Sequence, residues 1–202
     1  MGTKIYVFSK YIYNFFYLNV LWIFFTLSGF VLLGFVPSTI TVYTMFRKQF
    51  QNGDFEIGFH KFYLEYKKNF VPMIKPTFMM GFIFLVLMIN YEFTLDLVGI
   101  KFQIIQVILI LSMVVTILYC LTFFAVHAYF DLDFKRGLLL PLEILLSNPI
   151  LSIVSLIIFS LGEYAVMYSS GAYVLFLISV PSYFCMKLYY RYFEKLVLRS
   201  IN

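Results

Sequence analysis

The side chains that most often carry out catalysis or bind metals are few in this sequence of 202 residues. It has two histidines, His60 and His127, and two cysteines, Cys120 and Cys185, and the members of each pair are far apart along the chain. Metal and catalytic motifs have short spacings, such as Cys-x-x-Cys, His-Glu-x-x-His or Gly-x-Ser-x-Gly, and none of these occurs. The sequence therefore predicts no enzyme, no metal site and no cofactor.

One ionisable residue, Glu163, lies within an otherwise apolar stretch. A carboxylate at membrane depth is a candidate proton or cation site. The alternative is that the stretch ends early, so that Glu163 lies in the membrane interface beside Tyr164. The serines that precede it, Ser152, Ser155 and Ser160, are expected to pack between helices rather than to act as nucleophiles.

The composition explains why so few reactive groups are present. Hydrophobic residues make up 62% of the chain and charged residues only 12%, against about 25% charged residues in average soluble proteins. This composition predicts one integral membrane domain, residues 1–202, surrounded by the lipid bilayer. The formal net charge of +5 is interpreted as an orientation signal, and no motif for nucleic-acid binding accompanies it.

The predicted fold is all-α: a polytopic transmembrane helical bundle. A helix needs about 20 apolar residues to cross the hydrocarbon core. Five stretches meet this requirement, and they are residues 11–36, 72–91, 102–130, 150–168 and 172–190.

The first stretch carries several polar or helix-breaking residues. Asn19 is expected to form a hydrogen bond between helices and Trp22 to pack against a neighbour. Gly34 and Pro37 are expected to end the helix, since proline lacks the amide proton that a helix needs. The uncharged segment after the break, Pro37–Phe46, is too short to cross and is predicted to be a re-entrant or interfacial half-helix. Alternatively, such a break exposes backbone groups to a ligand, as in transporters.

Two further segments are predicted to be cytoplasmic amphipathic helices. In the first, Phe55–Phe70, aromatic residues recur every three or four positions, which is typical of an interface anchor and less so of a partner groove. In the second, Phe134–Ser147, the residues Arg136, Glu143 and Ser147 form one polar stripe. This stripe is a candidate docking surface for a partner protein, and the alternative is an interfacial helix whose leucines enter the lipid.

The distribution of lysine and arginine predicts the orientation. Segments 47–75, 131–149 and 187–202 contain twelve of the fifteen, and Lys4, Lys10 and Lys101 are the others. The side with more positive charge faces the cytoplasm. This rule predicts an N-terminus outside and a C-terminus inside. An N-terminus inside would require Pro37–Phe46 to cross the membrane alone, and this segment is too short to do so.

The polar residues of the first stretch also carry a family resemblance. The pattern Asn19-Val-Leu-Trp22, followed by Gly34-x-x-Pro37-Ser-Thr39 and a basic helix rich in phenylalanine, resembles the N-terminal signature of the YesL family of small bacterial membrane proteins. Ser38 replaces the alanine expected after the proline.

The later part of the chain is also similar to this family, more weakly, in Tyr129-Phe-Asp131 and in Asn148-Pro149 before an apolar stretch. The resemblance implies a multi-pass protein of the bacterial cytoplasmic (inner) membrane. Because genes of this family often accompany carbohydrate importers, it also implies a non-catalytic accessory or assembly subunit of an ABC-type uptake system, with importer permease or ATPase subunits as partners. The alternative is a small stand-alone transporter or channel. The family has no established catalytic residues to carry over.

Overall fold

The computed structural model describes residues 2–53, 55, 57–168 and 176–201; within its helices, the side chains of residues 2–7, 163, 165–168 and 199–201 fall outside that description. This part of the chain contains seven α-helices and no strand, so the predicted all-α fold is confirmed. The helices are α1 (Gly2–Ser28), α2 (Leu32–Asn52), α3 (Phe59–Leu95), α4 (Ile100–Tyr129), α5 (Phe134–Ser147), α6 (Pro149–Tyr168) and α7 (Ser179–Ile201).

Six of these helices form three antiparallel pairs, α1 with α2, α3 with α4, and α6 with α7, whereas α5 connects the second pair to the third. Two side-chain contacts establish the direction of each helix pair. They are Tyr11–Gln49 and Trp22–Thr39 for α1 and α2, Met80–Cys120 and Thr94–Gln106 for α3 and α4, and Ser152–Tyr189 and Ser155–Cys185 for α6 and α7.

Helix α2 is the central helix of the bundle, in contact with α1, α3, α4 and α7. Its 21 residues span about 31 Å at 1.5 Å per residue, and most of its side chains are buried. Its threonine hydroxyls bond to carbonyls one turn earlier, Thr41 to Pro37 and Thr44 to Ile40. The expectation of a re-entrant or interfacial half-helix over Pro37–Phe46 is therefore wrong, because these residues belong to a longer, buried helix. Internal hydrogen bonds allow this moderately polar helix to be buried.

The break between α1 and α2 lies earlier than Gly34–Pro37. The turn is at residues 29–31, where Phe30 and Val31 have φ values of 56° and 62°. Pro37 is inside α2, where it costs only the backbone bond to the carbonyl of residue 33. The first stretch, 11–36, therefore contains the end of α1 and the start of α2. The sequence pattern predicted a stop at Pro37, but neighbouring helices can support a proline inside a helix.

Helix α3 also passes through proline, since it contains both Pro72 and Pro76. The predicted separation into a surface helix ending at residues 71–72 and a span 72–91 is wrong. Phe62 and Tyr66 are buried and pack on Phe25 of α1, with ring centroids 5.1 and 4.8 Å apart. This part of the predicted interface anchor therefore packs inside the protein.

Three helices of the described chain are long and apolar enough to cross a membrane: α3, α4 and residues Phe8–Ser28 of α1. The α5–α6 pair, bent by 97° at Asn148, would make a fourth if it counts as one broken span. The predicted count of five is not confirmed. The connection between the predicted stretches 150–168 and 172–190 lies outside the described residues, and α7 continues to Ile201 instead of ending near residue 190.

Candidate functional site

Three residues of the Asn19–Thr39 pattern lie where α1, α2 and the start of α7 converge. The Asn19 side chain is fully buried, and its Oδ1 accepts a hydrogen bond of 3.1 Å from the backbone N–H of Ile178. Trp22 Nε1 donates to Thr39 Oγ1 at 3.0 Å. These two bonds join α1 to both neighbouring helices, so the geometry of the pattern is that of a structural joint.

Gly34 lets α1 and α2 approach closely. A Cβ atom at this position would clash with the backbone carbonyl of Thr26 and would lie 2.8 Å from that of Phe25. The turn residue Gly29 packs against Gly34 in the same way and also faces the Tyr66 hydroxyl. Small residues allow such backbone contact between membrane helices. Pro37 is a buried residue within α2.

One end of the bundle collects the charged residues, and we call it the basic end. Arg47 Nη1 donates to the backbone carbonyl of Tyr129, the last residue of α4, at 3.0 Å. A cation there compensates the partial negative charge of a helix C-terminus. The side chains of Lys48 and Glu65 form an ion pair between α2 and α3. Together these contacts tie the ends of three helices.

A second ion pair at the basic end joins Lys68 of α3 to Asp131, with 2.8 Å between Nζ and Oδ1. Both side chains are largely exposed, so water surrounds this pair. The hydrogen bond from Lys68 lowers the pKa of the Asp131 carboxyl below its usual value.

The N-terminus also lies at the basic end. Gln49 Nε2 donates to the Tyr11 hydroxyl, and the Asn14 amide donates to the carbonyl of Phe55 at 2.7 Å. Lys10 is therefore close to the C-terminal end of α2, where Arg47 lies. The expectation that put the N-terminus on the side opposite segment 47–75 is wrong, because α2 spans the full height of the bundle.

The candidate docking helix α5 has the predicted bounds and lies beside the end of α4. Its Gly137 fits against His127, since a Cβ atom there would be 2.6 Å from Nε2. The carbonyl of Leu138 accepts a hydrogen bond of 3.0 Å from the Tyr119 hydroxyl. The side of α5 that contains Gly137, Ile144 and Leu145 is buried in the protein. Leu145 therefore packs inside instead of entering the lipid.

The polar stripe of α5 is exposed. Arg136 Nη1 and Glu143 Oε1 are 3.0 Å apart, and about half of each side chain is accessible. Ser147 is exposed at the end of the same helix. The three residues thus form one accessible polar surface at the basic end, and Pro141 lies on the buried side of α5.

A hydroxyl cluster that the sequence did not predict lies in the core. Thr122 Oγ1 of α4 is 2.9 Å from Ser152 Oγ of α6 and 2.8 Å from the Tyr189 hydroxyl of α7. All three side chains are buried. The cluster joins three helices, and Ser152 has the packing role predicted for it.

More buried hydroxyls of α2 and α7 lie in the core. Among the described residues, those of Ser38 and Ser179 form no hydrogen bond, whereas the Tyr43 hydroxyl lies next to Ser182 and Cys185. A buried unpaired hydroxyl costs about 1–3 kcal/mol. The only sequence signal for this polar interior was the set of serines within apolar stretches, and serine is also common in ordinary helix packing.

The remaining candidate groups form no reaction centre in the described part of the chain. Cys120 and Cys185 are free thiols on different helices, and His60 is exposed. Among the described residues, no three side chains of metal-binding type lie together. Glu163 belongs to α6, but its side chain lies outside the described part of the structure.

The apolar helices and the buried polar joint define the chain as a helical membrane protein. Residues 15–91 match a family described as "Protein of unknown function, DUF624". This segment includes Asn19, Trp22, Gly34, Pro37 and Thr39.

The uncharacterized protein YteU of Bacillus subtilis (strain 168) is 38% identical to this chain over 63 residues. The match covers 31% of this chain and 28% of YteU, so it spans well under two thirds of that relative. No solved structure matches the chain.

Proposed function

We propose that the chain is a non-catalytic, multi-pass protein of the bacterial cytoplasmic membrane that serves as an accessory or assembly subunit of an ABC-type carbohydrate importer. The resemblance of its N-terminal pattern to the YesL family supports this role. The same pattern lies within residues 15–91, which match a family of unknown function; that match assigns no role, so the proposed role depends on the resemblance and on the structure.

The observation that carries this proposal is the placement of α5. The helix is held against the bundle by Gly137 and by the Tyr119 hydroxyl, and it presents the Arg136–Glu143 pair to solvent. A rigid, exposed charged surface can select a partner by charge complementarity. A permease or ATPase subunit of an importer is the proposed partner.

Copurification from gently solubilised membranes tests this role. Tagged wild-type protein should bring importer subunits with it, and Glu143→Lys or Arg136→Glu should reduce their recovery several-fold. Asp96→Lys, a charge reversal in the connection between α3 and α4, is the control and should have no effect. The double variant Arg136→Glu with Glu143→Lys keeps an ion pair within α5 but reverses the surface pattern.

The double variant separates docking from helix stability. If it recovers partners as well as the wild type does, the pair only stabilises α5 and the docking proposal fails. If importer subunits are absent even from the wild-type eluate, the accessory role itself is contradicted.

We further propose that both termini and α5 face the cytoplasm. If the basic end faces inward, fourteen of the fifteen lysine and arginine residues lie inside, with Lys101 as the exception, as the positive-inside rule requires. In a variant without native cysteines, Ser9→Cys and Gln51→Cys should resist a membrane-impermeant thiol reagent in intact cells, and Val98→Cys should react. Labelling of Ser9→Cys but not of Gln51→Cys would contradict the proposal that the start of α1 and the end of α2 lie on the same side of the membrane.

The alternative function, a small stand-alone transporter or channel, is favoured by the hydroxyls in the core. Buried hydroxyls such as those of Ser38 and Tyr43 are groups that a polar solute or water can bind. Reconstituted protein would then catalyse solute flux into liposomes, and Tyr43→Phe would reduce this flux. Absence of flux together with copurified importer subunits would exclude the alternative.

A further inference from the structure

Lys75 is a cation in an apolar environment. It lies in α3, within a helix that is long and apolar enough to cross the membrane. On the same face, one turn away in either direction, Val71 and Phe78 expose 71% and 63% of their surface. Lys75 is itself exposed. Its ammonium group therefore projects from a surface that is otherwise suited to lipid.

Within the described part of the chain, no acidic side chain neutralises this cation. Among the residues that the structure describes, no carboxylate lies within ion-pair distance of Lys75, whereas Lys48 and Lys68 of the same end are each paired. Asp131, a nearby acidic residue, is already bound to Lys68. An unpaired charge next to lipid is costly unless it reaches the headgroup region.

The position of Lys75 along α3 fits the headgroup region. The exposed Lys68–Asp131 pair marks a level that is in water. Seven residues further along the helix, Lys75 is about 10 Å deeper. A lysine side chain at this depth extends toward the interface and places its charge at the level of lipid phosphates.

A cavity of about 250 Å³ opens beside Lys75 between α3, α4 and α5. Its walls are mainly apolar and include Val71, Leu132, Phe134 and Leu138, and Lys75 is the one lysine, arginine or acidic residue among the described residues that line it.

His127 also borders this cavity, and both of its ring nitrogens lie close to the protein backbone. Nδ1 is 3.1 Å from the carbonyl of Phe123, and Nε2 faces Gly137. Lys75 is therefore the group available to an anion, and the apolar walls suit the hydrocarbon next to it.

We propose that this groove binds an anionic membrane phospholipid. The headgroup phosphate pairs with Lys75, and the upper part of an acyl chain lies against Val71 and Phe134. Basic pockets between membrane helices on the cytoplasmic side are known to take anionic headgroups, and the basic end supplies that location if it faces the cytoplasm. The charge selects the lipid class, and the apolar walls select a lipid over free phosphate.

Native mass spectrometry of the purified protein in detergent tests the proposal. The probes are phosphatidylglycerol, which is anionic, phosphatidylcholine, which is zwitterionic, and inorganic phosphate. Wild-type protein should bind phosphatidylglycerol in preference to phosphatidylcholine. Lys75→Gln should weaken that binding about fivefold, since one lysine near an anionic surface contributes about 1 kcal/mol.

Two variants serve as controls. Lys75→Arg retains the charge and should bind as the wild type does. Lys135→Gln removes an exposed lysine from α5 that does not line the groove and should also leave binding unchanged. Because Lys75 is exposed, Lys75→Gln should unfold at the wild-type temperature.

Three results would overturn the proposal. One is equal binding of the two phospholipids by the wild type. Another is unchanged phosphatidylglycerol binding by Lys75→Gln. The third is that inorganic phosphate binds to the wild type but not to Lys75→Gln and displaces phosphatidylglycerol. This result would mean that free phosphate is the ligand.

Discussion

The two halves of α4 are equally apolar in sequence but lie in opposite environments. In the half nearer the basic end, Leu121, Phe123 and Val126 are almost fully buried. In the other half, Ile100 and Leu111 expose 74% and 59% of their surface. Hydrophobicity therefore locates both halves in or near the membrane but does not distinguish a protein-facing segment from a lipid-facing one.

The polar side chains of α4 do make this distinction. In the exposed half, Ser112 and Thr116 donate to carbonyls one turn earlier in the same helix. In the buried half, Thr122 also bonds across to Ser152 and Tyr189 on two other helices. Hydroxyls facing lipid have only their own backbone as a partner, whereas those at a helix junction can stabilise the tertiary fold.

The largest expected effect comes from filling the α1–α2 junction. Gly34→Leu should greatly reduce the yield of folded protein, because its side chain would have to displace the backbone of α1 near Thr26, at a cost of about 3 kcal/mol or more. Gly81→Leu, at a glycine of α3 with open space around it, should be tolerated. Size-exclusion profiles after detergent extraction measure both. Equal yields for the two variants would contradict a close α1–α2 contact.

A charge on the exposed half of α4 tests whether that half lies in lipid. Leu111→Lys should reduce membrane insertion, since lysine at the centre of a membrane helix costs about 3 kcal/mol. Leu198→Lys, at a comparably exposed leucine in the last turns of α7, should insert normally. Insertion is measured by the carbonate-resistant fraction of expressed protein. If both variants insert equally well, the exposed half of α4 is not in the hydrocarbon core.

Removal of hydroxyls should have a smaller effect that differs between the two halves. Tyr189→Phe removes the bond to Thr122 and should lower the free energy of unfolding by about 1 kcal/mol. Ser112→Ala removes a hydrogen bond within a single helix and should change the free energy of unfolding by much less. Thermal unfolding in a mild detergent measures both variants. If Ser112→Ala lowers the stability more than Tyr189→Phe does, the proposed difference between the two halves of α4 is contradicted.

Much of the local structure could be predicted from the sequence. The bounds of α5 agree with the charge and leucine pattern of Phe134–Ser147. Helix α2 ends at Asn52–Gly53, and the sharp bend at Asn148 precedes a proline; both dipeptides are typical of turns. These features depend on a few adjacent residues, which is why a single sequence is sufficient for them.

The tertiary features were harder to predict. Pro37 and Pro72 were expected to end helices, yet both lie within helices, because packing neighbours can support a proline that would break an isolated helix. The actual break follows Ser28-Gly29, which is a turn dipeptide, and precedes the proline. The burial of α2 and the Thr122–Ser152–Tyr189 cluster depend on partners far along the chain, and no local pattern reports them.

The smallest expected effect concerns the Lys68–Asp131 pair, which joins α3 to the end of α4 at the basic end. The hydrogen bond from Lys68 holds the pKa of Asp131 below its ordinary value of 3.8. A carboxyl whose pKa is lower in the folded protein stabilises the fold above the unfolded pKa. That contribution is lost as the pH falls through the folded pKa. Because the pair is exposed, the contribution should stay below about 1 kcal/mol.

Wild-type protein should therefore be slightly more stable than Asp131→Asn at neutral pH, and the difference should vanish well below pH 4. High salt should also reduce it. Asp96→Asn removes an exposed carboxylate after the end of α3 and should show no such pH dependence. Unfolding temperatures of the three proteins between pH 3 and pH 7 measure the effect. If the difference between wild type and Asp131→Asn grows as the pH falls, the pair does not stabilise the fold in the way the geometry indicates.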